Sequence, residues 1–261
     1  MSKKDYWGER VRQGQEAVAK KQIAETEKQM RKYYNNAMRH VMSDFENTFH
    51  KVFDDVADGY KPTPADLYKL DAYWQSQAML QRELTKLGDK QAKLLAEQFY
   101  KTWKYTYNNV ALPTGGLFGS IDNATVRQMI NSIWCADGLT WSQRIWKNTA
   151  NLQELLNEGL LDCVLTGKSP TALKEMLTER FNVSFNQADM LVRTEIAHIQ
   201  TQAATQRYKD AGLEYVEIWA DEDERRCKHC GKLHEKRYLV GETVPIPAHP
   251  RCRCVVLPVI E

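Results

Sequence analysis

Residues 227–254, CKHCGKLHEKRYLVGETVPIPAHPRCRC, hold four of the six cysteines of this 261-residue chain. The order is Cys227-x-x-Cys230, a loop, then His249-x-x-Cys252-x-Cys254. A C-x-x-C turn aims two thiolates at one point, and a second pair from a distant loop completes a tetrahedron, the usual construction of structural zinc sites. Five candidate ligands thus stand for four positions. Cys227 and Cys230 make the first half. His249 and Cys252 form another two-residue-gap knuckle, while Cys252 and Cys254, two apart on an extended strand, also point the same way. Which of His249, Cys252 and Cys254 is left out stays open. Reduced cysteines packed in a small core, or one or two disulfides, are the competing readings. A catalytic zinc would need an open coordination position and a nearby general base, and three or more cysteine ligands signify a closed, structural site. His229 and His234 are expected exposed, not ligating. Metal would also explain how so short a segment folds, since ligation free energy becomes folding free energy.

The compartment bears on that choice. The N-terminus MSKKDYWGER has basic residues but no apolar run behind them, so no signal peptide is read. No apolar stretch reaches the roughly eighteen residues of a membrane span. The expectation is a cytoplasmic protein, where thiols stay reduced and clustered cysteines bind metal more often than they pair. With 43% hydrophobic and 27% charged residues the chain is too apolar for wholesale disorder. Its formal net charge of +2 offers no broad field for nucleic acid or anionic lipid. Cys135 and Cys163 stand singly in helical-looking segments and read as small core hydrophobes.

Residues 5–56 contain no proline, and Ala37, Val41, Phe45, Phe49, Val52, Phe53 and Val56 recur at helical spacing. One long amphipathic helix, or two in tandem, is expected. DGYKPTPADL stops it, and Thr63-Pro64 supplies a cap and first position for the next. That helix is expected to close at Gly88, with another from Asp89 to Asn109 carrying an aromatic band of Phe99, Tyr100, Trp103, Tyr105 and Tyr107. LPTGGLFGS is a break whose Leu117-Phe118 tip reads as a surface loop or a partner contact. Helices resume after Asp122, after Thr140 and after Ser169-Pro170. A further long helix ends at Gly212. Beyond it YVEIWA, KRYLV and RCVVLPVI read as strands. The expected fold class is mainly α with a small C-terminal α+β module: long N-terminal helices, a helical body, and a short β-rich zinc-knuckle end. The expected divisions are 1–112, 113–212 and 213–261.

Within DMLVRTEIAHIQTQAATQRY, Asp189 and Arg193 share a helix face and can pair at i, i+4. Glu195 needs a partner elsewhere. The expected role is structural, a helix docking polar groups under the terminal module. The sharper alternative is an enzyme using Arg193, Glu195 and His198, but the chain has no G-x-x-x-x-G-K-[ST] or H-E-x-x-H motif to support one.

RTEIAHIQTQAATQRYKDAG, VEIWADEDERRCKHCGKL and IPAHPRCRCVVLP together resemble the C-terminal signature of the phage head morphogenesis family, the Mu F-like minor head or minor capsid proteins. The family pattern falls on Arg193, Thr194 and Glu195, on Trp219 and Asp223, on Cys227 and Cys230, and on His249, Pro250, Cys252, Arg253 and Cys254. The resemblance covers about residues 120–260 and is most specific after 185. It implies a virion-associated, non-enzymatic protein that joins the procapsid in few copies. It also implies contacts with the portal protein, the major capsid or a scaffold protein, and a part in DNA packaging or delivery. Some relatives add a toxin or ADP-ribosyltransferase domain after this signature; with Glu261 seven residues past Cys254, none is expected here. Residues 1–112 are expected to dock on a head partner while the terminal module folds by itself. The second reading is a nucleic-acid-binding zinc module in which Lys228, Lys232, Lys236, Arg237, Arg251 and Arg253 meet phosphate, phage DNA included. Asp221, Glu222, Asp223, Glu224 and Glu235 offset that charge.

Overall fold

The computed structural model describes residues 3–54, 63–69, 71–110, 121–220 and 226–259. The elements are α1 (Lys3–Asp54), α2 (Pro64–Tyr68), α3 (Asp71–Asn109), α4 (Asn123–Ile130), α5 (Trp141–Leu165), α6 (Pro170–Asp210), β1 (Tyr215–Trp219), α7 (Lys228–Leu233), β2 (Arg237–Leu239) and β3 (Val255–Pro258). The chain is mainly α with a small antiparallel sheet of order β2-β1-β3 near its C-terminus, as expected. The Asp58-Gly59 turn, the Leu117-Phe118 tip and Asp223 lie outside the described residues.

The proline-free start gives one helix of 52 residues, not two. Pro64 opens α2, and the Thr63 N–H donates to the Asp66 carboxylate at 2.9 Å. Asp122 caps α4 by accepting the N–H groups of Ala124 and Thr125 at 2.9 and 3.0 Å. Gly212 ends α6 at φ +74°, a left-handed turn that glycine takes without Cβ strain.

Two helix boundaries expected from the sequence do not exist. The helix expected to close at Gly88 runs on, so α3 spans 39 residues. Gly88 is a packing feature instead: a Cβ there would lie 2.6 Å from the Trp146 ring, so the missing side chain makes room for the indole. The helix expected after Ser169-Pro170 and the long helix expected to end at Gly212 also merge, across 182–183, into a 41-residue α6. No glycine or proline interrupts 171–210, so nothing breaks its ladder. A third difference is Cys135, which lies half-buried in the coil between α4 and α5; Cys163 is buried in α5.

The chain divides into two compact units. The one made of Lys28–Lys93 and Ser142–Asp189 is all helical. Met30, Tyr34, Ala37, Val41, Phe45 and Phe49 recur every three or four residues on α1, and all are buried. Each large apolar side chain so buried contributes about 1.5–3 kcal/mol. Tyr34 is the polar exception. Its hydroxyl lies 3.2 Å from Ser184 Oγ and accepts from Asn148 Nδ2 at 3.2 Å, and burial pushes its pKa up to about 12.

The other unit comprises Met1–Glu27, Leu94–Trp141 and Met190–Glu261 and contains the sheet. Phe99, Trp103 and Tyr107 of the aromatic band are buried in it, whereas Tyr105 faces solvent. Its core joins Ala204 and Tyr208 of α6 to Val216, Ile218 and Val256 of the sheet and to Cys230, Cys252 and Cys254. Val11 of α1 packs with Val255 and Leu257 of β3, and Val110 borders both clusters. The core of the terminal module thus includes side chains of α6 and α1, since three short strands have little apolar area of their own. The Tyr208 hydroxyl donates to the Val256 carbonyl at 3.2 Å inside this core. Tyr208→Phe leaves that acceptor unpaired, and urea unfolding is expected to show a loss of about 1–3 kcal/mol.

The two stretches of α1 differ in what they bury. Between residues 9 and 27 the buried positions are Val11, Gln15 and Thr26, mostly polar, against six apolar or aromatic residues between 30 and 49. Amide hydrogen exchange is expected to be faster over 9–27 than over 30–49, because local opening follows apolar burial. Equal protection of both stretches would contradict this reading of the helix.

Candidate metal centre

The Cys227-Lys-His-Cys230 segment folds into the start of a short helix, which the strand-and-loop reading did not foresee. Cys227 is the N-cap of α7, and its sulfur accepts the Cys230 N–H at 3.2 Å. That bond turns both sulfurs to one side. The second half is a tight turn, His249-Pro250-Arg251-Cys252, closed by the Cys252 N–H donating to the His249 carbonyl at 3.1 Å. Arg251 sits at φ +59°, a left-handed conformation uncommon for a residue with a Cβ. Its N–H donates to Thr194 Oγ1 on α6 at 3.0 Å, which fixes the turn against the helix.

These two turns bring all five candidate ligands together, in two overlapping triples. Cys227, Cys230 and His249 form one and Cys230, Cys252 and Cys254 the other, with donor atoms within 4.8 Å inside each. His249 Nε2 lies 3.4 Å from Cys227 Sγ and 3.1 Å from Cys230 Sγ, and Cys230 Sγ lies 3.8 Å from Cys252 Sγ. Around a tetrahedral zinc, two thiolates stand about 3.8 Å apart and a thiolate and an imidazole nitrogen about 3.6 Å. The spacings match the edges of such a site to within about half an ångström. The donor set therefore fits a metal ion of the thiolate-preferring kind. The same thiols could close a disulfide only by drawing together to about 2.05 Å.

Electrostatics point the same way. His249 Nδ1 is 2.9 Å from the Pro250 carbonyl, a bond that holds the proton on Nδ1 and raises the imidazole pKa. Nε2 is then the lone-pair nitrogen facing the thiols. The Cys230 N–H lowers the Cys227 pKa, and a hydrogen bond from the Cys254 thiol draws Cys252 down to about 5. Burial pushes Cys230 up to about 12. Cys254 is also pushed up, first by its bond to Cys252 and then by burial. Negative charge is thus already favoured at two of the sulfurs.

His229 is exposed. His234 is half-buried: its Nδ1 accepts the Ala220 N–H at 3.2 Å and its ring packs edge-on to Trp219 at 4.8 Å. It braces the end of β1.

The Arg-Thr-Glu segment of α6 faces this module. Thr194 holds the His249–Cys252 turn through the Arg251 N–H. Arg193 pairs with Glu27 of α1 at 3.2 Å. Glu195 is only 1% exposed and accepts the Trp134 Nε1–H at 3.0 Å. The same indole stacks on His198, with centroids 4.1 Å apart and planes 10° from parallel. Asp189 is buried one turn before Arg193. Sequence reasoning missed Glu27 and Trp134, which lie 166 and 61 residues from their partners. No local signal in the sequence marks either contact.

The C-terminal part of α6, the three-stranded sheet and α7 thus form a small α+β module that carries a Cys/His knuckle able to hold a metal ion. Residues 154–257 match the family model described as Phage Mu protein F like protein. The matched range contains the Arg-Thr-Glu helix, the whole sheet up to Leu257 and all five Cys/His donors. No curated protein and no solved structure gives a match.

Proposed function

We propose that this chain is a minor head protein of a phage, a non-enzymatic assembly component that joins the procapsid at or near the portal and takes part in DNA packaging or delivery. The match over residues 154–257 is the observation that carries this reading. Residence in the virion follows from it. Among the described residues no helix is long and apolar enough to cross a membrane.

The donor chemistry supports zinc in the Cys/His knuckle, in a structural role. The donors are buried or half-buried in the core of the module, and thiolates outnumber imidazoles, the pattern of a closed site. A non-enzymatic role is supported by what the alternative catalytic residues do. Arg193, Glu195 and His198 are engaged with Glu27 and Trp134 in contacts that brace the helix. Residues 1–112 supply the docking surface for the portal protein, the major capsid or a scaffold protein. Trp74 is 56% exposed there and leans on exposed Tyr68, and Tyr105 is also exposed. Aromatic side chains of this kind anchor interfaces.

The second reading, a DNA-contacting zinc module, draws on the exposure of Lys228, Lys232, Lys236, Arg237, Arg251 and Arg253. It is compatible with the first, since packaged DNA lies inside the head. Interrupting the gene in its phage tests the proposal. The expected result is a loss of infectious particles with head-stage defects, restored by the full chain supplied in trans. Normal heads and normal titre would overturn it.

A further inference from the structure

Resting on the metal reading above, we propose that the fourth ligand is Cys252 and that Cys254 is a positioning residue that holds Cys252 in place without binding the ion. The first triple, Cys227, Cys230 and His249, supplies three donors at one point. Cys252 and Cys254 both lie outside it, each near Cys230, so the chain around them decides between the two.

Cys252 belongs to the same turn as His249, closed by the bond from its own N–H to the His249 carbonyl. One turn thus delivers two donors, as the Cys227 turn delivers the other two, and a small rotation moves His249 and Cys252 together. Its sulfur already stands 3.8 Å from Cys230 Sγ, the edge length of a zinc tetrahedron. Cys254 has no such freedom. Its neighbour Val255 is paired with Trp219 in the sheet, and Val255, Val256 and Leu257 are all buried. Drawing Cys254 toward His249 would pull β3 out of register, whereas Cys252 lies before the strand begins. Cys254, buried with Cys230 and Cys252 in the same core, stands with its sulfur within 4.8 Å of theirs and backs the Cys252 side chain from the core side. Outer partners of this kind orient a ligand and tune the ion.

Cobalt(II) is the probe, because thiolate-to-cobalt charge-transfer absorption grows with the number of bound sulfurs. The reduced full chain is compared with Cys252→Ser, Cys254→Ser and Cys252→His, with far-UV circular dichroism as a check on each fold. The wild type is expected to bind one cobalt with a three-thiolate spectrum. Cys254→Ser is expected to keep that three-thiolate spectrum while binding about 10–100-fold more weakly. Cys252→Ser is expected to lose stoichiometric metal. Cys252→His is expected to regain it with a two-thiolate spectrum, which separates loss of a ligand from loss of the fold. A thiolate lost from Cys254→Ser but not from Cys252→Ser would overturn the assignment. So would three thiolates retained in both, which would mean that the two residues exchange. A wild-type chain that binds neither cobalt nor zinc would sink the metal reading itself, and this assignment with it.

Discussion

Purified under reducing conditions from zinc-containing medium, the full chain is expected to carry about one zinc ion, and Cys227→Ser to lose it. Cys227 is the cysteine donor whose removal costs the apo-protein least, because its side chain is half-buried while Cys230, Cys252 and Cys254 are buried. Its loss therefore reports on the metal more than on packing. In small zinc modules metal binding supplies about 10–16 kcal/mol of apparent free energy. Less of it is needed here, since the module also leans on Ala204, Tyr208 and Val11. The expected outcome is local: exchange over residues 213–259 quickens by orders of magnitude, while the all-helical unit around Phe45 and Leu156 keeps its protection. Acid is expected to act in the same direction. Ligation requires neutral Nε2 and ionised sulfurs, and His249 holds its proton more firmly than an ordinary histidine, so affinity falls as pH falls. Freshly reduced protein without metal, or Cys227→Ser with a full equivalent of zinc, would contradict the account.

Glu195→Ala is expected to be strongly destabilising. The carboxylate is 1% exposed and takes the Trp134 indole N–H, and the indole in turn lies flat on His198. Alanine leaves a cavity and a part-buried indole N–H without its acceptor, for a loss of about 2–3 kcal/mol in urea unfolding. Glu195→Gln keeps an acceptor in place and is expected to cost less. Arg193→Ala provides the contrast. Arg193 and Glu27 are each 34% exposed, so this pair is worth about 0–1 kcal/mol. A different outcome would revive the catalytic alternative: either variant folding with wild-type stability and entering heads, yet losing a measurable turnover on nucleotide or nucleic acid.

What the sequence made legible follows from how local each signal is. The cap and proline at Thr63-Pro64, the Asp122 cap, the Gly212 stop and the three strands are written in adjacent residues, and each appears where expected. The convergence of Cys227, Cys230, His249, Cys252 and Cys254 was legible because cysteine and histidine at knuckle spacing have few other uses. Gly88 misled because a glycine that ends a helix and a glycine that admits a neighbouring tryptophan look alike without Trp146 in view. The α7 turn was hidden because six residues carry too little periodicity to announce a helix. The Glu27 and Trp134 contacts and the shared core of the module were illegible for one reason. They join residues far apart in the chain, and only the fold brings them together.

The central claim is that this chain is a built-in part of a phage head. Mass spectrometry of purified heads and procapsids, with the protein quantified against portal and major capsid, tests it most directly. The account predicts the chain in both particles, in few copies per head and resistant to washing with moderate salt, because a near-neutral surface with exposed aromatics docks mainly through apolar contact. Particles that contain every other head protein but not this one, at every stage of assembly, would contradict it.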